Sequence, residues 1–318
     1  MTVKNGDPGL AAKLRRHLRL PVMAGPMFIS STAKLVIAQC QAGIIGAMPA
    51  LNPRTAEALE ADLAHIKATL IDCPVPWAIN IVAHRSNDRL ASDLAAVLKY
   101  QVPIVVVALA ASAEIVEAVH AYGGLVFNDV VNDRQARKCA EAGVDGIIAV
   151  AAGAGGHTGN LSPFALTAEI REWWQGLLVL SGAIATGRAV LAAEVMGADL
   201  AYVGSPFLAT DEANTQPEFK KMIVEGTSKD VMLTKHFTGA SALFLRPSIV
   251  ANGLDPDNLV RTAGPEINIA GGGYDSRAWR DIWSAGQGIG AVKSSGPAAA
   301  YIDALATEYE AARALSPW

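Results

Sequence analysis

The stretch AGVDGIIAVAAGAGGHTG, residues 142–159, decides how the rest of the chain is read. An amphipathic segment, Asp133–Ala142, stops at Gly143, the residue type that most easily takes the left-handed conformation ending a helix. Gly146–Val150 follows, short, apolar and rich in β-branched residues, which reads as a strand buried on both faces. It runs into Ala151–Gly159, a loop almost without side-chain bulk that holds one imidazole, His157. Helix end, glycine, buried strand and loop make one βα unit. The same phrase recurs at Ala42-Gly43-Ile44 and Gly197-Ala198-Asp199.

Outward from this unit, strands are expected near Pro21–Ala24, Gly43–Ala47, Trp77–Val82, Pro103–Ala108, Gly123–Asn128, Leu177–Ser181 and Leu200–Val203. Helices are expected between them at Thr32–Ala42, Ala56–Leu70, Arg89–Tyr100, Ser112–Tyr122, Ala165–Trp174 and Gly187–Met196. Eight such units predict a (β/α)8 TIM barrel rather than an open doubly wound sheet. The chain has 318 residues, more than the roughly 250 a barrel takes. The excess lies after strand eight, where the rhythm stops at Thr210 and patches such as Gln216–Glu225 and Ser228–Phe237 read as helical. Residues 1–210 and 266–318 are therefore expected to form the barrel, and 211–265 a mostly helical insertion able to cover the active site. The return path reads through Gly271-Gly272-Gly273 and Trp283–Gly290 into a last helix, Pro297–Leu315.

Composition sets the class. Hydrophobic residues make up 51% and charged residues 18%, which suits strands covered on every side. A net charge of −4 with no Lys/Arg block gives nucleic acid no footprint. No apolar run reaches the roughly 18 residues of a membrane helix, and the N-terminus lacks a signal peptide's apolar core. The three cysteines (Cys40, Cys73 and Cys139) form no CxxC pair and read as reduced thiols of a cytoplasmic protein. No histidine or carboxylate spacing at a strand end suggests a metal. A homodimer stays open as the assembly.

In this fold chemistry sits at the carboxyl ends of the strands. Strand seven ends in Ser181-Gly182-Ala183 and strand eight in Gly204-Ser205, small residues whose backbone N–H groups can approach an anion. The helix starting near Thr186-Gly187 adds a dipole end. Together the two loops point to a phosphate. The bulk-free loop after strand six, with Gly155 and Gly156, leaves room for a flat ring, so FMN is the expected cofactor. His157 suits an acid–base or charge-stabilising role there. Asn80 reads as a hydrogen-bond partner of the ring or as a structural amide. Asn128-Asp129 end strand five near the cofactor, with Asn128 the expected contact. Met23, Ala24 and Gly25 bring the backbone of strand one to the ring edge. His84, beside Arg85, and His236 in the insertion are expected near the substrate.

Met23-Ala24-Gly25-Pro26-Met27, Ala78-Ile79-Asn80, Gly155-Gly156-His157, Ser181-Gly182, Gly204-Ser205 and Trp283-Ser284-Ala285-Gly286-Gln287-Gly288 together resemble the nitronate monooxygenases, formerly 2-nitropropane dioxygenases. The resemblance keeps the motif order from Leu20 to Gly290. It implies FMN across the barrel mouth, its phosphate at Gly182, Ala183, Gly204 and Ser205, with Trp283, Ser284, Gly286 and Gln287 also at the cofactor. It implies His157 at the substrate, and oxidation of an alkyl nitronate (or nitroalkane) by O2 to a carbonyl compound and nitrite. Two departures stand out: Ser-Gly-Ala where many relatives have Ser-Gly-Gly, and Asn128 where some carry a longer polar or basic residue. Two other readings remain. Similar barrels take hydride from NAD(P)H and reduce quinones or enoyl thioesters, for which Arg85, Lys235 or Arg246 would meet the substrate's phosphates. A non-flavin barrel binding a sugar phosphate or nucleotide is the other.

Overall fold

The computed structural model describes residues 6–109, 112–259 and 278–315. Eight parallel strands are present: β1 (Val22–Ala24), β2 (Ala47–Pro49), β3 (Ala78–Val82), β4 (Ile104–Ala108), β5 (Leu125–Val130), β6 (Gly146–Val150), β7 (Leu177–Ser181) and β8 (Leu200–Val203). Each pairs with its successor from β2 onward, and β8 pairs with β1. A Met23–Ile45 bridge brings β1 to the chain entering β2, with Ala24 N–H donating to Ile45 O at 2.7 Å and Ile45 N–H to Val22 O at 3.1 Å. The strands thus form the expected TIM barrel.

Local chemistry sets the helix starts. Thr32, Thr55, Ser112, Asn132 and Thr186 each accept a backbone N–H of the first helical turn. Gly143 ends the helix Asp133–Ala142 at φ 91°. Strand alternation then divides the core. Ile79, Val105, Val126, Ile147, Leu178 and Ala201 pack outward with the helices, while Met23, Ala78, Val106, Phe127, Ile148, Val179 and Leu200 fill the barrel. Leu10 and Leu14 of the first helix join the inner cluster.

Two strands sit differently from their expected places. The ladder with β3 begins only at Ala47, because Ile45 is engaged with β1. β5 continues to Val130, two residues beyond its expected end, where it still pairs with Ala149 of β6.

After β8 the chain leaves the barrel. The helix Pro217–Glu225 appears where helix was expected, but Ser228–Phe237 does not form one. Ser228–Asp230 is a single 3-10 turn and Val231–Thr234 is a strand, antiparallel to Ala242–Leu245. The β-branched ends Val231 and Thr234 find a complementary apolar strand, and that pairing outweighs local helix propensity. Ala242 and Leu243 also pair with His157 and Gly156, so the loop after β6 becomes the third strand of this small sheet. Thr210 bridges Gly296, and Asp211 N–H donates to Gly296 O at 3.0 Å, so the chain leaves and rejoins the barrel at one place. Ala285, Ile289 and Val292 pack with Phe219, Ile223 and Leu243 of the excursion. The boundary expected at 265/266 and the Gly271-Gly272-Gly273 turn lie outside the described residues. The last helix, Ala298–Leu315, packs against Gly187–Val195 and Ala33–Gln41. No helix among the described residues is long and apolar enough to cross a membrane.

Candidate cofactor and active site

A cavity of about 670 Å3 opens at the carboxyl ends of the strands, within the roughly 300–1,000 Å3 of small-molecule and cofactor sites. Its floor follows from strand alternation: Asn80, Asp129, Val150, Ser181 and Tyr202 stand two residues beyond the inner-core residues Ala78, Phe127, Ile148, Val179 and Leu200. The loop after β1 (Gly25–Phe28 and Ser30) forms one wall, and Ser284–Gly286 another. No Lys or Arg lines the cavity among the described residues.

At one end lie Gly182, Ala183, Gly204 and Ser205. No described group accepts from the N–H of Gly182 or Gly204. A Cβ on Gly204 would meet open space, whereas one on Gly182, at φ 146°, would lie 2.9 Å from Ala152 O. Ala183 occupies the left-handed region at φ 55°, which costs a non-glycine residue roughly 1–2 kcal/mol. The helix dipole invoked for this end is engaged elsewhere. Gly187 N–H donates to Glu308 Oε2 at 2.9 Å, and Thr186 Oγ1 accepts from Ala189 N–H at 3.2 Å. The anion-binding capacity that remains is that of the two strand-end loops.

The glycines after β6 do two jobs. A Cβ on Gly155 would approach Gly286 N at 2.8 Å, and one on Gly286 would approach Gly153 O at 2.7 Å. Backbone therefore packs on backbone, fixed by Gln287 N–H donating to Gly153 O at 2.9 Å and Gly286 N–H to Ser205 Oγ at 2.7 Å. Gly156, in contrast, faces open space, and its N–H donates to Ser284 Oγ at 2.8 Å. His157 is held by its main-chain pairing with Ala242 and by an edge contact to Trp279, ring centroids 5.3 Å apart. Its Nε2 is buried without a partner, and burial pushes the imidazole down from 6.5 to about 4. It is neutral at pH 7.

Most expected site residues meet here: Gly25, Asn80, Gly155, Gly156, His157, Ser181, Gly182, Ala183, Gly204, Ser205, Ser284 and Gly286 all line the cavity. Asn80 also donates to Val106 O at 3.2 Å. Others do not. Asn128 is fully buried beside the outward-facing Val126 and Val130, with Nδ2 on Asp129 O; its neighbour Asp129 faces the cavity. β5 runs past Asn128, so alternation turns that amide to the helix side. Met23 is packed inside the barrel and Ala24 against the helices. Trp283 stacks on Phe219 at 4.9 Å, and Gln287 borders a smaller neighbouring cleft. His84 lies outside the lining, its Nδ1 2.8 Å from Ser86 Oγ. His236 packs edge-on against Phe237, also away from the cavity. Arg85, Lys235 and Arg246, weighed as partners for a thioester's phosphates, do not line it; Arg246 pairs with Asp257.

The sequence places Asp129 with Asn128 at the end of strand five near the cofactor, while it assigns Tyr202 and Asn52 no role. Asp129 and Tyr202 present Oδ1 and OH, buried and without partners. Counting by twos from Phe127 and Leu200 would have found both. Asn52 organises the loop after β1: Oδ1 accepts from Ile29 N–H at 2.8 Å, and Nδ2 donates to Met27 O at 3.0 Å and Ser31 O at 2.7 Å. No local pattern marks it.

The arrangement suits a flat, phosphate-bearing group beside a neutral histidine. The family model described as nitronate monooxygenase matches residues 12–308. A nitronate monooxygenase of Paraburkholderia phytofirmans is 25% identical, over 91% of this chain and 92% of its own length. One from Neurospora crassa is 30% identical over 59% of this chain and 52% of its own. The chain thus spans about half of that relative, and 36% of another curated relative from Mycobacterium tuberculosis. Among solved structures, a nitroalkane oxidase from Streptomyces ansochromogenes superposes with a TM-score of 0.80 at 24% identity, covering 96% of this chain and all of that one (100%).

Proposed function

Because the chain belongs to the nitronate monooxygenase family, we propose that it is an FMN-dependent enzyme oxidising alkyl nitronates with O2 to a carbonyl compound and nitrite. The observation that carries this reading is His157, a neutral imidazole with an unpartnered Nε2 in the wall of a cavity that also offers two free backbone N–H groups.

FMN fits the residues present. Gly182 and Gly204 can donate to its phosphate, and the open face at Gly204 leaves that anion room. The unpartnered atoms of His157, Asp129 and Tyr202 gain a polar neighbour when the cavity is filled. Bound FMN would accept the substrate's electrons and pass them to O2. The chain's own part is binding and proton handling. His157 holds the nitro end of the substrate by a hydrogen bond, and an anion beside it favours the imidazolium. An imidazole held near 4 is a poor base for the α-proton of a neutral nitroalkane, so the preformed nitronate is the better substrate. Phe28, Leu51 and Phe219 supply apolar wall for an alkyl chain.

Anaerobic reduction tests this. Propyl nitronate should bleach the flavin's visible band and NADPH should not, with His157→Asn slowing the bleaching roughly 100-fold or more. Rapid bleaching by NADPH alone would point to a reductase of quinones or enoyl thioesters. A chain that stays colourless after incubation with FMN would point to a non-flavin barrel.

A further inference from the structure

The cavity floor holds a polar pair that this reaction leaves without a task. Asp129 projects from β5 and Tyr202 from β8, both into the barrel interior. Asp129 Oδ1 and Tyr202 OH are sealed from solvent, and neither has a hydrogen-bond partner among the described residues. Burial alone lifts the Asp129 carboxyl from 3.8 to about 7, and burial first, then the Asp129 charge, holds the Tyr202 phenol well above its usual range. The other titratable neighbours are no help to a carboxylate. Cys139, on the helix behind β5, is held up at about 11 by burial and then by Asp129, with Lys138 acting the other way on that thiol. His157 shares the cavity and is neutral. No cation contributes to the Asp129 shift.

Asp129 as a whole is only part-buried, so an ionised carboxylate here depends on cavity water reaching the rest of the group. An occupant removes that water and supplies no positive charge, which makes the ion far costlier than the acid. We propose, resting on the FMN reading, that Asp129 is a cofactor contact in its acid form, donating its proton as a hydrogen bond to an acceptor of the flavin ring beside Tyr202, so that loading the cavity at alkaline pH takes up one proton. The proton comes from solvent and stays on the carboxyl oxygen; the cofactor is not chemically changed.

The test is FMN binding to the full chain freed of flavin, followed by flavin fluorescence between pH 7 and 9. This range lies above the second ionisation of a phosphate monoester near ~6, so the ligand's own phosphate adds no slope. The dissociation constant should rise about tenfold per pH unit above 7.5, and Asp129→Asn should flatten it. Tyr202→Phe should keep the slope, because the phenol does not titrate in this range. Binding heats measured at pH 8.5 in two buffers of different ionisation enthalpy should report uptake close to one proton, with no variant needed. Tight binding with no pH slope and no proton uptake overturns the inference and leaves the FMN reading intact. A slope that survives in Asp129→Asn overturns it too. Failure to bind FMN at any pH overturns the FMN reading itself, and this inference with it.

Discussion

Burial pushes His157 and Asp129 in opposite directions. His157 is lowered from 6.5 to about 4, so between those values the unfolded chain binds a proton that the folded one refuses, and stability falls as pH drops. Asp129 is raised from 3.8 to about 7, so there the folded chain holds the extra proton, and stability falls as pH rises. Between about 4 and 6.5 the two slopes oppose each other, and the cofactor-free protein should owe little net pH dependence to this site. Asp129→Asn removes one of them. Its stability relative to the parent should grow by about 3 kcal/mol between pH 4.5 and 7.5, measured by urea unfolding at both values. An equal difference at the two values would refute a burial-shifted carboxyl. His157 was legible in the sequence because a lone imidazole ends a bulk-free loop. Asp129 was overshadowed by Asn128, because which of two adjacent polar residues faces inward depends on where the strand ends.

At the scale of elements, the loop after β1 is the wall most dependent on one side chain. Ile29 sits at φ 66°, an outlying conformation for a β-branched residue, and its N–H is held by Asn52 while Asn214 donates to its carbonyl at 3.2 Å. Asn52→Ala removes three hydrogen bonds at about 1 kcal/mol each, so a loss of about 2–3 kcal/mol is expected. The FMN dissociation constant should rise about tenfold as the wall at Met27 and Phe28 loosens, about 1.4 kcal/mol of binding. Lower stability with unchanged FMN affinity would mean that this loop positions nothing in the site. The small sheet of the excursion is the second such element. It holds His157 by pairing Gly156-His157 with Ala242-Leu243, residues some 85 positions away (Ala242↔His157). We infer that this excursion covers the site, since Phe219, Ala240 and Ser241 line the cavity. Val231–Thr234 reads as helix in the sequence because it is too short to show a period, and its partner strand could not be seen from the local sequence.

For the molecule as a whole, a cofactor lodged between barrel and excursion should stabilise both. FMN at a hundredfold its dissociation constant should add roughly 2.7 kcal/mol and raise Tm by about 5 °C, read by thermal unfolding. Riboflavin, lacking the phosphate, should give a much smaller shift at the same concentration. Equal shifts would remove Gly182 and Gly204 from a phosphate role. The eight-fold βα alternation, the helix-ending glycines and the glycine loops at β6, β7 and β8 are legible in the order of residues alone. These rest on interactions between residues close along the chain, which local periodicity and residue type express directly. Tertiary structure decided what depends on distant partners: the closure of β1 onto Ile45, the strand rather than helix at Val231–Thr234, and Glu308 rather than an anion at the Gly187 N–H. It also decided that Asp129 and not Asn128 faces the cavity, because a one-residue change in strand position turns every side chain to the other face. The proton affinities of His157 and Asp129 belong to the same class, since burial is a property of the packed chain and not of any segment of it.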